Sequence, residues 1–206
     1  SFRWLRDVLC ESEISVAQRM KIDPYDLIVK EAEKIEPGSE GLLYLPYIAG
    51  ERTPYPDPDA KGVFLGLSLQ HTKAHIARSV LEGVAFSLKD CLTLIEKLDI
   101  TADGMRITGG AAKSNLWCQI FADVFGIPVM NLENNEGSAL GASLLAGKGI
   151  GTFNDFEKFC EKVIKTSKKI RPTEREMDVY KKYYSVYHSL YSKLKAVFSN
   201  LAKINH

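Results

Sequence analysis

The sequence predicts an α/β domain with helices on both faces of a sheet, and three observations carry that prediction. Short apolar or β-branched runs at 105–108 and 129–132 alternate with segments of helical period. The stretch Ile107-Thr108-Gly109-Gly110-Ala111-Ala112-Lys113-Ser114-Asn115 has the form of a strand end, a glycine pair and a helix start. The chain of 206 residues, 45% hydrophobic and 26% charged, is long enough to bury a real core and is read as one soluble globular domain over 1–206.

The elements follow in order. The chain opens inside an amphipathic helix, and a helix ending near Ser12 is followed by a second from Asp23-Pro24 to about Ile35. Pro37-Gly38 ends it, and residues 41–47 read as a short buried strand. Residues 50–59 form a long loop with three prolines and no apolar period, a length that marks functional or disordered loops. The strongest helix covers about 72–97, with Ile76, Val80, Val84, Leu88, Cys91 and Ile95 along one stripe. After the strand at 105–108 and the glycine pair, Leu116, Trp117, Ile120, Phe121 and Val124 recur at helical spacing, with Ser114 placed as an N-cap.

A strand at 129–132 leads through Asn134-Asn135-Glu136-Gly137 into a helix over 138–146. Ala139, Gly141, Ala142 and Ala146 make that helix slim enough to pack very close to a neighbour. A polar helix is expected over 154–165 and a closing helix from Glu174 to about Leu201. The tyrosines 180, 183, 184, 187 and 191 on the closing helix suit a packing face better than an aromatic ligand platform.

Two adjacent glycines between a strand and a helix let another group approach bare backbone. The helix start adds unpaired N–H groups and a positive dipole end, which suits a nucleotide phosphate or ribose. Taken alone, the pair also admits a tight connection with no ligand.

A formal charge of +1, from 27 basic and 26 acidic residues, provides no broad field for nucleic acid or an anionic membrane. The basic cluster Lys162, Lys165, Lys168, Lys169 and Arg171 reads as a solvated face. No apolar run reaches membrane-spanning length, and the charged amino end is not a signal peptide. The absence of an initiator Met suggests a piece cut from a longer protein. Cys10, Cys91, Cys118 and Cys160 are scattered, and Cys91 and Cys118 fall on apolar helix faces, which fits buried reduced thiols and a cytoplasmic setting. His71 and His75 share a helical spacing, but nothing beside them completes a metal site, so no metal is expected.

Four ordered motifs then resemble one family. Gly62-Val63-Phe64-Leu65-Gly66-Leu67, followed after seven residues by His75-Ile76-Ala77-Arg78-Ser79-Val80-Leu81-Glu82, is similar to the second signature of the FGGY carbohydrate kinases. Thr108-Gly109-Gly110-Ala111-Ala112-Lys113-Ser114, with Trp117, Gln119, Ala122 and Asp123 beyond it, resembles that family's adenosine motif. Glu136-Gly137-Ser138-Ala139-Leu140-Gly141-Ala142 resembles its closing helix, and Gly50-Glu51-Arg52-Thr53-Pro54 is similar to the form seen in xylulose kinases.

The resemblance implies a ribonuclease-H-like fold of the actin, hexokinase and heat-shock chaperone type, with a mixed sheet. This chain would be the C-terminal, nucleotide-binding domain, truncated at its start. It implies that Gly109, Gly110 and Ala111 bring backbone against ribose and α-phosphate, and that Ser114 and Asn115 face the nucleotide. ATP with Mg²⁺ held through its phosphates would be bound, and the partners would be a small sugar and the N-terminal kinase domain of the same protein. A homodimer is allowed. The catalytic Asp and first phosphate loop would lie in that N-terminal domain, so no catalytic residue is expected here. Asp7, Asp23, Asp26, Asp90 and Asp123 are read as surface or capping residues.

Two departures stand out: Ala111 replaces a third glycine, and Cys118 stands where relatives often have Arg. The activity implied is γ-phosphoryl transfer to a sugar hydroxyl, with D-xylulose first and gluconate second. A non-catalytic module of the same fold, and a degenerate domain whose glycine turn is merely structural, are the competing readings.

Overall fold

The computed structural model describes residues 1–132 and 137–204. Three short helices open the chain: α1 (Phe2–Leu9), α2 (Glu11–Met20) and α3 (Pro24–Ala32). Asp23 starts α3 as expected, its carboxylate accepting from the Tyr25 N–H at 3.0 Å with Pro24 in the first turn. The sequence reading had merged α2 into a connection. Only Ala17 of α2 is buried, so its apolar period is faint.

Strands β1 (Leu43–Leu45) and β2 (Val63–Leu65) form an antiparallel pair, with Tyr44 opposite Phe64. Helix α4 (Lys73–Glu96) packs across β1, and Gly83 permits this: a Cβ there would run into the Tyr44 carbonyl oxygen. The expected stripe along α4 is only partly right. Val80 is fully buried, but Leu88 and Ile95 are more than 40% exposed. The helix is instead embedded on several sides near its middle, through Ala77, Val80, Leu81, Ala85 and Phe86.

The second sheet is mixed, with order β3-β4-β5. Strand β3 (Met105–Ile107) runs parallel to β4 (Val129–Leu132), and β4 runs antiparallel to β5 (Thr166–Ile170). Helix α5 (Asn115–Phe125) packs on β4, β5 and α4, burying Cys118, Ile120, Phe121 and Ala122. After β4 come α6 (Gly137–Gly149) and α7 (Phe156–Val163), and after β5 the long α8 (Glu174–Ile204). The predicted turn residues Asn134, Asn135 and Glu136 lie outside the described residues.

Helix α6 corrects the expectation of close packing. Ala139, Ala142 and Ala146 are exposed, Leu144 is its one buried residue, and nothing lies within 4 Å of a Cβ placed at Gly141. The tyrosine face of α8 does pack: Tyr180, Tyr187 and Tyr191 are buried, and Phe86 meets the first two at ring distances of 6.0 and 5.2 Å.

A buried polar knot joins these layers. The Glu82 carboxylate accepts from the Gly38 N–H (2.9 Å), the Ser39 hydroxyl (2.8 Å), Arg78 Nε (2.8 Å) and the Tyr180 hydroxyl (2.9 Å). Arg78 also donates to Tyr180 Oη at 3.0 Å and to the Ala32 carbonyl at the end of α3, at 3.4 Å. Four donors satisfy a carboxylate that would otherwise cost several kcal/mol to bury, roughly. The Arg78 and Glu82 of the second signature are therefore structural. They fix the end of α3 and the turn after it against α4 and α8.

Candidate functional site

The glycine turn keeps the geometry its sequence suggests. Gly109 has φ 76° and ψ −153°, a conformation essentially reserved for glycine. Residues Gly110–Lys113 then make one 3-10 turn that delivers the chain into α5. A Cβ at Gly109 or Gly110 would meet nothing within 4 Å, so both glycines face open space. Ser114 caps α5, its hydroxyl oxygen accepting from the Trp117 N–H at 3.1 Å. Its O–H remains able to donate to a ligand. The Asn115 amide oxygen accepts from Lys168 Nζ at 3.0 Å, which leaves its NH₂ to face elsewhere.

The turn forms one wall of a cleft of about 590 Å³. Gly110, Lys113, Ser114 and Asn115 line that wall, and Tyr25, Asp26, Val29 and Lys30 of α3, with Glu33 just after it, line the other. Phe2, Arg3 and Trp117 close its end. The Trp117 ring is fixed by its indole N–H, which donates to the Leu81 carbonyl at 3.1 Å, and by a stack on Phe121 at 5.7 Å. Phe2 packs on Tyr25 at 5.1 Å and edge-on to Trp117 at 5.4 Å. The cleft thus has aromatic surface, a bare glycine backbone, both signs of charge and the volume of a small-molecule site.

Of the five expected site residues, Gly110, Ser114 and Asn115 line the cleft and Gly109 shapes its rim. The Ala111 side chain packs against the core instead. The α3 wall was missed by sequence reading. Its residues carry no motif, and only the fold brings a helix at 24–32 against a turn at 109–113.

The five aspartates divide. Asp7 and Asp26 are exposed and Asp23 is a cap, as expected. Asp123 is instead buried and ties α5 to the segment ahead of α8, accepting from the Thr173 N–H at 2.7 Å and from Gln119 at 2.9 Å. Burial pushes its carboxyl up to about 6, against the pull of Thr173 and Gln119. Asp90 is neither surface nor cap: it is 2% exposed and accepts from the Tyr184 hydroxyl and from His188, each at 2.6 Å.

His71 and His75 have their Nδ1 atoms committed, accepting from the N–H groups of Ser68 (2.9 Å) and Thr72 (3.1 Å). Among the described residues no group of three His, Cys, Asp or Glu is placed to hold a metal ion. All four cysteines are free, with Cys10 and Cys118 buried and Cys91 and Cys160 half-buried. No helix among the described residues is long and apolar enough to cross a membrane.

Cleft, glycine turn and mixed sheet together define an α/β domain with an open cleft beside a glycine turn. Residues 2–150 match the C-terminal domain of the FGGY family of carbohydrate kinases, and the chain belongs to that family. It is 40% identical to a gluconokinase of Bacillus licheniformis over 87% of this chain and 35% of that one. It is 35% identical to a xylulose kinase of Staphylococcus epidermidis over all of this chain and 40% of that one. The chain therefore spans well under half the length of these relatives.

Solved structures agree on the fold. A ligand-bound xylulose kinase and a gluconate kinase from Lactobacillus acidophilus each superpose with TM-score 0.83 at 28% identity, over 97% of this chain and 39% of theirs. A xylulose kinase from Rhodospirillum rubrum gives 0.81 at 30% identity, over 96% and 38%. The fold is thus the actin- and hexokinase-like α/β fold of these sugar kinases.

Proposed function

We propose that these residues are the nucleotide-binding part of an ATP-dependent sugar kinase, which transfers the γ-phosphoryl group of ATP to a sugar hydroxyl. One observation carries the reading: a turn that only glycine can make opens, without side chains, onto a cleft of about 590 Å³. Bare backbone at Gly109 and Gly110 admits a ribose or phosphate at close range. Ser114 and Asn115 at the start of α5 supply donors beside a positive helix end. Tyr25, Val29 and Trp117 supply flat and apolar surface for a base.

Mg²⁺ fits this site as a companion of the phosphates rather than as a protein-held ion. Lys30, Lys113 and Arg3 are the cations at the cleft. Catalysis would then rest on positioning and charge stabilisation, with the acceptor's base supplied by the N-terminal kinase domain. Four free thiols fit a reducing, cytoplasmic setting.

D-xylulose is the sugar we favour, on the Gly50-Glu51-Arg52-Thr53-Pro54 loop and on the match to a xylulose kinase along the whole of this chain and 40% of that one. Gluconate is a second reading, supported by the 40% identity to a gluconokinase. Titration of the full-length protein with MgATP in a calorimeter tests the nucleotide site. Coupled ADP assays of the full-length enzyme with xylulose and with gluconate test the sugar. Absence of ATP binding in the folded full-length protein overturns the reading.

A further inference from the structure

Beneath the glycine turn lies a short relay of hydrogen bonds. Cys118, on the inner face of α5, is fully buried. Its sulfur has three acceptors in range: Asn131 Oδ1 at 3.4 Å, the Ala111 carbonyl at 3.5 Å and the Ala112 carbonyl at 3.9 Å. A thiol has one proton to give. The Ala111 carbonyl already accepts from the Ser114 N–H at 3.1 Å, and Asn131 Oδ1 is the shorter contact. Asn131, on β4, in turn donates its amide N–H to the Ala112 carbonyl at 2.9 Å. The relay thus runs from α5 through β4 to the second alanine of the turn. Burial raises the Cys118 thiol's pKa, so the sulfur keeps its proton and remains a donor at neutral pH.

We infer that Cys118 and Asn131 are positioning residues for the nucleotide site, holding the carbonyl of Ala112 inward so that Gly109 and Gly110 present their bare backbone to the cleft. The inference rests on the nucleotide-binding reading above. It explains why a small donor at 118 is sufficient: the position faces the underside of the turn, not the cleft or solvent. An apolar residue at 131 would leave the Ala112 carbonyl without the donor that draws it inward. In metal sites, groups that orient the ligands from behind change metal affinity by about tenfold or more when removed, and the relay is placed to act on the turn in the same way.

The test, made in the full-length protein, compares the parent with Asn131→Leu, which keeps the branched shape but has no donor, and with Cys118→Ala. Amide hydrogen exchange is read at residues 110–113 and, as a control, along α4. ATP and adenosine affinities are read by calorimetry. Exchange at 110–113 should quicken about tenfold in Asn131→Leu with α4 unchanged, and ATP and adenosine should both weaken about five- to tenfold. Cys118→Ala should shift both readouts in the same direction by a smaller factor.

Unchanged exchange at 110–113, or equal quickening along α4, would overturn the assignment. So would local quickening with unaltered nucleotide affinity. If the parent itself binds no ATP, the functional reading fails, while the exchange at 110–113 still decides whether the relay holds the turn.

Discussion

Gly109 and Gly110 are neighbours that owe their identity to different physical demands. Gly109 is held at φ 76° and ψ −153°, so its constraint is the backbone itself. Gly110 begins an ordinary 3-10 turn, and its constraint is the space in front of it. Gly110→Val should therefore fold, because no protein atom lies within 4 Å of its Cβ position. In the full-length protein it should lose ATP affinity tenfold or more, about 1.4 kcal/mol, because the branched side chain fills the approach to the turn. Calorimetry on the folded variant checks this, and undiminished affinity would remove the turn from the site.

Asp123 carries a second prediction at this scale. Its carboxyl is raised from 3.8 to about 6 by burial, so the folded state holds a proton more tightly than the unfolded chain. The stability this gives is present below about pH 4 and is lost as pH rises through about 6. Asp123→Asn removes that loss while keeping an acceptor for the Thr173 N–H. Relative to the parent, the variant should gain stability between pH 4 and 6, up to about 3 kcal/mol. Thermal midpoints measured across that range decide it; a constant gap between the two proteins would contradict the buried, proton-retaining carboxyl.

At the scale of elements, α4 and α6 make opposite use of small residues. Gly83 lets α4 touch β1, and Gly83→Ala would force the Tyr44 carbonyl aside at roughly 1–3 kcal/mol. The alanines of α6 meet no such neighbour in this chain. Ala142→Leu should accordingly leave the denaturant midpoint of the 206-residue chain within about 0.5 kcal/mol of the parent. A loss of 1 kcal/mol or more would mean that α6 packs more tightly than its exposure indicates.

What the sequence reveals follows the same division. Elements with strong local signals were legible: α4 from its apolar period, β4, and the Ser114 start of α5. Strand β5 was not, because Lys168 and Lys169 hide its pattern; it is an edge strand whose pairing comes from β4. The small residues of α6 said that close approach was permitted, not that a neighbour was there. The site was legible on one wall only. Gly110, Ser114 and Asn115 belong to a motif, whereas Tyr25, Val29 and Lys30 reach the cleft by tertiary packing that no local pattern encodes.

At the scale of the molecule, the Glu82 knot bonds residues that the chain separates by as many as 102 positions. Through it α8 holds the same helix that Trp117 grips from the cleft side, since the indole N–H bonds the Leu81 carbonyl next to Glu82. The glycine-turn wall of the cleft is therefore built into the core of this domain. A base for the proposed reaction is not. The cleft's carboxylates are Asp23, Asp26 and Glu33, all on or beside the exposed face of α3; Asp23 is spent on its cap, and the buried Asp90 and Asp123 are bound to α8 and its start.

Phosphoryl transfer needs a base on the sugar hydroxyl and a clamp on the γ-phosphate, held to within about half an ångström. A cleft open to water also weakens each charge contact at the phosphates. The 206 residues alone should thus bind nucleotide at most weakly and produce no ADP in response to xylulose, gluconate, ribulose or glycerol. A coupled ADP assay on the purified chain measures this directly. Sugar-dependent turnover that survives removal of contaminating kinase would place the base within these residues, and Asp26 and Glu33 would then be the first carboxylates to replace.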